Sequence, residues 1–301
     1  MGNSEELDST AMELVLQARR GDIRKRQDLK AIVKDVIFKG QPGVSSTEID
    51  SLVGYILSQL VTGRYCERNL RYSYEDDNMV YAARSVPALK KGSTRYFMSG
   101  DSHFFYRVGE GQYLMGRMDG MGHGVEAGMT VLVARKYMDE LVDEGTCDPK
   151  LLVENLNERF SCIFGGVEGT RFTTMLVSLL KNRRVLLTNV GGGDAFVYCP
   201  SKETFEEVES HGLPIGVLSP HDIELLNQPY TEEERMVLPG FTLVSYTDGI
   251  NEREDFDRDR IKRVIVGNVG NISLIISQIF EYAGKLSDGA DDSTVIGLYI
   301  K

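Results

Sequence analysis

The chain has 301 residues and a formal net charge of −11, with 42% hydrophobic and 26% charged residues. This balance is typical of a folded globular protein of about two domains and argues against long disorder. An acidic surface repels phosphate backbones, so no nucleic-acid partner is expected, whereas a cation-binding site suits the charge.

The four cysteines are far apart and form no CxxC or Cys/His pattern; they are Cys66, Cys147, Cys162 and Cys199. We therefore expect neither a zinc site nor a disulfide framework. The N-terminus is polar and acidic, without the apolar core of a signal peptide, and no apolar run approaches the ~18–20 residues that span a bilayer. The sequence thus predicts a cytoplasmic protein with no membrane span.

Residues 1–75 are predicted to be helical. Apolar residues recur at three- and four-residue steps within 29–37, and the Gly- and Pro-containing run 39–43 ends that pattern. Ser45 followed by Glu48 is typical of a capping box that begins the next helix. This region contains no cluster of catalytic residue types, so we expect a regulatory or dimerisation region through which a homodimer could form.

Residues 76–301 follow a different pattern, in which β-branched and aromatic runs predict strands. The predicted strands are Met79–Val86, Thr94–Met98, Gln112–Met118, Phe172–Leu180, Arg184–Thr188, Ala195–Cys199, Phe241–Tyr246 and Thr294–Ile300. Helical patterns interrupt them at Gly124–Glu144, Pro149–Ile163 and Ile272–Leu286. Strand runs separated by few helices favour an α+β fold of antiparallel sheets with helices outside.

Four aspartates lie at the ends of predicted strands, and three of them adjoin a glycine: Asp101, Asp119, Asp248 and Asp291. A single Asp-Gly pair is most often a turn, but four such sites in one domain favour function. Carboxylates without nearby His or Cys are hard oxygen ligands that suit Mg²⁺ or Mn²⁺. Their mutual repulsion without a cation would be costly. The pattern therefore predicts a two-metal site that activates a water molecule for attack on phosphorus.

The motifs around these aspartates are Ser99-Gly100-Asp101-Ser102, Asp119-Gly120-Met121-Gly122-His123-Gly124, Leu213-Pro214-Ile215-Gly216, Tyr246-Thr247-Asp248-Gly249 and Asp291-Asp292-Ser293-Thr294. With them, the region from about Met79 to Ile300 resembles the metal-dependent protein phosphatases of type 2C. It is most similar to the bacterial branch of the stage II sporulation protein E phosphatase and the stress-response sigma-factor phosphatases. The resemblance implies an αββα sandwich that binds two Mn²⁺ or Mg²⁺ ions. It also implies hydrolysis of phosphoserine or phosphothreonine in a small anti-anti-sigma-type protein.

The resemblance assigns the metal ligands to Asp101, Asp119, the Gly120 carbonyl, Asp248 and Asp291. Asp119 would bridge both ions and the glycine carbonyl would bind one of them, while Asp248 and Asp291 would bind the other. Asp101 would complete the shell directly or through water. Asp291 is preferred to Asp292 because the family's aspartate lies three residues before the threonine.

Two departures from the family pattern affect the expected chemistry. Many members carry an acid where Gly100 stands, so the second metal ion is expected to bind weakly. Many eukaryotic relatives place His directly after Asp-Gly, where this chain has Met121, so the general acid stays open. His123 lies two residues later, and histidine is a residue type that transfers protons near neutral pH. Four arginines are alternative phosphate clamps, namely Arg95, Arg107, Arg117 and Arg171. The Gly191-Gly192-Gly193 run predicts a hairpin turn or a close backbone approach.

Two other functions compete with this hypothesis. Gly122-x-Gly124-x-x-Ala127 fits a dinucleotide-binding fingerprint loosely, but no alternating βαβ pattern follows it. The fold could also be kept as a catalytically weak pseudo-phosphatase that serves as a binding module. Metal-dependent turnover of a phosphorylated substrate distinguishes an enzyme from both.

Overall fold

The computed structural model describes residues 4–38, 44–62, 70–89, 95–164, 171–251, 256–286 and 291–301, so Cys66 lies outside the described residues. Its helices are α1 (Ser4–Arg19), α2 (Ile23–Phe38), α3 (Ser46–Thr62), α4 (Gly124–Asp143), α5 (Pro149–Phe164), α6 (Pro220–Leu225), α7 (Asp248–Asn251), α8 (Arg258–Gly267) and α9 (Ile272–Leu286). Its strands are β1 (Leu70–Glu75), β2 (Met79–Val86), β3 (Asp101–Gly109), β4 (Gln112–Gly120), β5 (Thr173–Lys181), β6 (Arg184–Val190), β7 (Asp194–Cys199), β8 (Thr204–Glu207), β9 (Glu233–Met236), β10 (Thr242–Tyr246) and β11 (Ser293–Ile300).

Within the described residues the strands form two sheets. A six-stranded sheet has the order β1-β2-β11-β10-β7-β8, and a five-stranded sheet has the order β3-β4-β5-β6-β9. The paired strands run antiparallel in both sheets. The predicted antiparallel α+β fold is confirmed. A dinucleotide-binding fold is excluded for the described chain, because it requires parallel strands joined by crossover helices.

An apolar core fills the space between the two sheets. Tyr81, Met115, Leu176, Phe241 and Leu298 are buried in it. On the outer face of the six-stranded sheet, α8 and α9 bury an isoleucine-rich surface, while α4 and α5 cover the five-stranded sheet. The four layers therefore form the predicted αββα sandwich, with its interior built from the inward-facing positions of each strand.

The N-terminal helices pack onto the sandwich as an outer layer against α4. Leu29, Val33, Leu52 and Ile56 are fully buried, and they belong to the same apolar cluster as α4 and α5. The predicted cap of α3 is present, because the Glu48 N–H donates to a serine hydroxyl at 3.2 Å. The predicted small helical region is thus observed, and its apolar faces are covered within the chain.

Two local predictions differ from the structure. Residues 95–98 of the predicted strand Thr94–Met98 form no strand beyond a single bridge at Arg95. Their apolar side chains are buried by packing rather than by sheet pairing. Leu70–Glu75, which a boundary at residue 75 would group with the helices, instead pairs with β2 as an edge strand.

Among the described helices, none combines the length and the apolar character needed to cross a membrane. The described cysteines are free thiols: Cys147, Cys162 and Cys199.

Candidate active site

The four predicted aspartates come together from both sheets. Asp101 opens β3 and lies directly opposite Asp119 on β4 in the antiparallel register. Asp248 follows β10 as the first residue of α7, and Asp291 precedes β11, the neighbour of β10. The two sheets therefore contribute two carboxylates each to one end of the sandwich.

Thr247 joins the two halves of this site. Its hydroxyl donates a hydrogen bond of 2.6 Å to the Asp101 carboxylate and accepts one of 2.8 Å from the Thr294 N–H. Thr247 and Thr294 are fully buried, and Asp101 is 1% exposed. This hydrogen bond restrains the orientation of the Asp101 carboxyl group, and it becomes one of the stronger kinds when that group is ionised. The motifs contained both threonines, but their role becomes visible only once the sheets are stacked.

The carboxylates repel one another at a site that extends from the buried Asp101 to the exposed Asp248. Burial, followed by the charge of Asp292, raises the pKa of Asp101 well above its usual range. Burial, followed by the charges of Asp101 and Asp248, does the same to the pKa of Asp119. Burial also raises the pKa of Asp291. A bound cation would remove this penalty, because it stabilises the ionised form of each group.

Asp292 has a different environment from Asp291. Its two carboxylate oxygens accept backbone N–H groups of Ala88 at 2.7 Å and Gly100 at 2.6 Å. Burial nevertheless raises the pKa of Asp292 to about 7. Asp292 therefore anchors the segment that carries Asp101, whereas Asp291 is partly exposed and accepts a hydrogen bond from the next N–H in the chain, at 2.8 Å.

Close backbone contacts explain the glycines beside the aspartates. A Cβ on Gly249 would lie 1.9 Å from the Asp292 carbonyl oxygen. A Cβ on Gly100 would lie 2.7 Å from the Ala127 Cβ and 2.9 Å from the Asp292 carboxylate. Both positions lack room for a side chain. The acid that many relatives carry at the position of Gly100 does not fit this packing.

The four arginines considered as phosphate clamps have different positions. Arg117 is fully buried between the sheets, and Arg107 is exposed on β3. Arg171 donates to the Val36 carbonyl at 2.6 Å, which fastens α2 to the sandwich. Arg95 lines a cavity of about 350 Å³ beside Asp291. Of the four arginines, Arg95 is therefore the one that lines an open cavity beside the aspartate cluster.

Sequence reasoning missed Arg84, which lines the same cavity from β2. Its guanidinium lies 4.3 Å from the centre of the Phe280 ring. The strand pattern gave no signal for it, since Arg84 and Asp291 are brought together only by the pairing of β2 with β11.

His123 is the N-cap residue that precedes α4, and its ring packs against Tyr96 with a centroid distance of 4.7 Å. Its Nδ1 atom is buried and lacks a hydrogen-bond partner in the part of the chain that the structure describes. Among those residues, no three His, Cys, Asp or Glu side chains are close enough to make a complete metal-ligand group. The four aspartates nevertheless suit a hard cation, because they are carboxylates whose mutual repulsion a cation would offset.

Comparison with known proteins identifies a bacterial relative by sequence. Phosphoserine phosphatase RsbU of Bacillus subtilis (strain 168) is 24% identical over 230 residues, which cover 74% of this chain and 64% of RsbU. The chain therefore spans slightly less than two thirds of that relative's length.

Solved structures share the fold. The PP2C phosphatase domain of SpoIIE from Bacillus subtilis, solved with a fragment of its regulatory domain, matches with a TM-score of 0.58 and 17% identity, covering 98% of this chain and 95% of that one. RsbX in complex with magnesium matches with a TM-score of 0.58 and 16% identity, and the match covers 77% of this chain and 100% of RsbX. At such identities these structures establish a common PP2C-like architecture.

The sequence of residues 109–301, more than half of the chain, matches the family described as Stage II sporulation protein E (SpoIIE). The resemblance inferred from the motifs is confirmed, and the chain belongs to the SpoIIE family.

Proposed function

We propose that this chain is a metal-dependent phosphatase that hydrolyses phosphoserine or phosphothreonine in a cytoplasmic protein. The observation that carries the proposal is the meeting of Asp101, Asp119, Asp248 and Asp291 at one end of the sandwich in a SpoIIE-family chain. The relative RsbU is named a phosphoserine phosphatase, which supports the same reaction here.

Asp119, the Gly120 carbonyl, Asp248, Asp291 and Asp101 would hold two Mg²⁺ or Mn²⁺ ions. RsbX was solved with magnesium, which supports this metal type. Such ions supply an activated water molecule and offset negative charge on a phosphoryl group. Because Gly100 leaves no room for a further acid, we expect the two ions to bind with unequal affinity.

The chain's own residues would position the substrate. The cavity beside Asp291 has Arg84 and Arg95 in its wall, and guanidinium groups match phosphate oxygens in bidentate fashion. A phosphorylated side chain entering there would meet positive charge at the edge of the carboxylate cluster. Thr247 keeps Asp101 in place during this step.

The substrate class follows from the family. We propose a small anti-anti-sigma-type phosphoprotein as the partner, and a regulatory role for α1–α3. In support, the SpoIIE structure that includes a regulatory fragment covers 98% of this chain. A homodimer through these helices would have to use their outer surface, where Leu16 is 43% and Ile23 is 74% exposed.

Hydrolysis of an aryl phosphate and of a phosphoserine peptide, with Mn²⁺, Mg²⁺ or EDTA, tests the proposal. Asp119→Asn and Asp248→Asn should each abolish metal-dependent turnover. Asp143→Asn is the matched control, because it removes an exposed carboxylate from the last turn of α4.

Metal-dependent activity that survives both substitutions would show that the site lies elsewhere. Metal binding without turnover in the intact protein would favour the pseudo-phosphatase function instead.

A further inference from the structure

Arg117 lies in the interior of the sandwich, two residues before Asp119 on β4. It is 0% exposed and stands opposite His103 of β3 in the register. Alternate residues of a strand share a face, so Arg117 and Asp119 point to the same side of the five-stranded sheet. A cation is therefore buried directly behind the carboxylate cluster.

The guanidinium is held by the opposite sheet and by the loop between β6 and β7. Its Nε donates to the Ser245 hydroxyl at 2.7 Å, and its Nη2 donates to the Gly192 carbonyl at 3.2 Å. A Cβ on Gly193 would lie 1.9 Å from Nη2, and Gly193 has a φ of 87°. The Gly191-Gly192-Gly193 run therefore makes the close backbone approach that the sequence predicted, and the group it approaches is the Arg117 guanidinium.

These contacts do not neutralise the charge. Nη1 lacks a hydrogen-bond partner among the residues that the structure describes. An arginine stays protonated in proteins, and a buried charge without compensation is strongly unfavourable. The nearest sources of compensation are the carboxylates whose fields act on Arg117, and these belong to Asp119, Asp101, Asp248 and Asp194.

We infer that Arg117 is an internal counter-cation, which holds the carboxylate cluster together without metal and weakens the binding of metal ions by offsetting the charge that attracts them. The second half of this inference rests on the proposed metal site, whereas the first half does not. Arg117 would act through the aspartates and is therefore a positioning residue.

Arg117→Met tests the inference, because it keeps a long side chain and removes the charge. We expect a lower thermal midpoint in EDTA together with Mn²⁺ binding that is tighter by about tenfold or more, measured by calorimetry, since one nearby charge changes ionic equilibria by that order. If Arg117 has only a structural role, Arg117→Met should lower the thermal midpoint and leave the Mn²⁺ affinity unchanged or weaker. That outcome would overturn the inference.

Arg117→Lys keeps the charge and loses the fork of hydrogen bonds, so it covers the case in which Arg117→Met does not fold. We expect its Mn²⁺ affinity to stay within about threefold of the original protein, because the point charge remains. A change of tenfold or more would mean that hydrogen-bond geometry, not charge, sets the affinity.

A double-mutant cycle in EDTA separates this inference from the proposed function. Asp119→Asn should raise the thermal midpoint more in the Arg117→Met background than in the original protein, because the remaining carboxylates have lost their counter-charge. If the two substitutions shift the thermal midpoint additively, Arg117 is not a counter-cation for the cluster. If their shifts are coupled but the protein binds no Mn²⁺, the counter-cation role stands and the proposal of a metal-dependent phosphatase is wrong.

Discussion

The carboxylate of Asp8 on α1 accepts the backbone N–H of Phe97, with distances of 3.0 and 3.1 Å to its two oxygens. Asp8 is fully buried, and Phe97 lies four residues before Asp101. The first helix is thus attached to the segment that leads into the candidate site, which gives the N-terminal region a direct structural route to it.

Replacing Asp8 should therefore affect both stability and the site. Asp8→Ala leaves the Phe97 N–H buried without its acceptor, which costs about 1–3 kcal/mol of unfolding free energy. We expect urea denaturation to show this loss and metal-dependent turnover to fall with it. Asp28→Ala is the control, because Asp28 is exposed and pairs with a lysine on the surface at 3.4 Å. Equal effects of the two substitutions would argue against a special role for Asp8.

Removal of residues 1–62 should destabilise the sandwich rather than release an independent catalytic domain. The deletion would uncover the face of α4 that α1–α3 now bury, including contacts of Leu52 and Ile56. Losing even one such core side chain costs about 2–5 kcal/mol. We expect aggregation or a strongly lowered thermal midpoint. A truncated protein that is monomeric, stable and fully active would show that the helices form a separate module.

Two glycine substitutions should change stability in opposite directions. Gly100→Ala places a methyl group against Ala127 and Asp292, and overpacking of this kind costs about 1–3 kcal/mol. Gly54 lies within α3 with open space around it, so Gly54→Ala should add about 0.5–1 kcal/mol. Chemical denaturation of both variants measures the two changes in unfolding free energy. If both substitutions lower it, the contrast predicted from the space around each glycine is wrong.

Thr247→Val should weaken the site without removing a carboxylate. The valine is close in shape but leaves Asp101 and the Thr294 N–H without the hydroxyl, a loss of about 1–3 kcal/mol. We expect a smaller stabilisation by Mn²⁺ in thermal unfolding, because Asp101 is no longer held in place. Thr204→Val on the exposed edge strand β8 serves as the control. A normal response to Mn²⁺ in T247V would show that Asp101 needs no such support.

His103 should make stability depend on pH. Burial, and next the charge of Arg135, lower the pKa of His103 to about 3, and its Nδ1 contacts the Ser85 hydroxyl at 2.9 Å. The unfolded chain binds a proton near pH 6.5. The neutral ring therefore contributes its full stability above about pH 6.5, and that contribution declines as the pH falls toward 3.

The comparison with His103→Gln isolates this effect, since the titrating carboxylates are common to both proteins. The difference in unfolding free energy between the two should change with pH below about 6.5, at a slope under the one-proton limit of about 1.4 kcal/mol per pH unit, because the residue is partly exposed. Parallel pH profiles in EDTA would show that His103 does not stay neutral in the fold.

The strands and the long helices could be predicted from the sequence because their patterns are local. Met79–Val86 and Ile272–Leu286 match the structure at both ends. The order of the four aspartates was enough to predict that they meet at one end of the sandwich, while their role as metal ligands stays a prediction. The sequence did not predict strand β3, and it wrongly predicted a strand at Thr94–Met98. Apolar residues there are buried by long-range contacts such as that of Asp8, which a short window of sequence cannot show.

The position of Arg117 was also beyond local reasoning. An arginine in an otherwise apolar strand gives the same pattern whether it faces solvent, a phosphate or a buried aspartate. Its environment is determined by Gly193 in the loop between β6 and β7 and by Ser245 on the other sheet, both far along the chain. The sequence indicated that a close approach occurs at the glycine run, but not which side chain it admits.

The hydrogen bond between Thr247 and Asp101 lies where the two sheets meet, and the four aspartates surround the same junction. Cations bound by these aspartates would act as a crosslink between the two sheets, which are not joined by strand pairing within the described residues. On their removal, backbone amides at the ends of β3 and β10 should exchange with solvent faster together, although they belong to separate sheets. The proposed metal ions would thus also govern how readily one end of the sandwich opens.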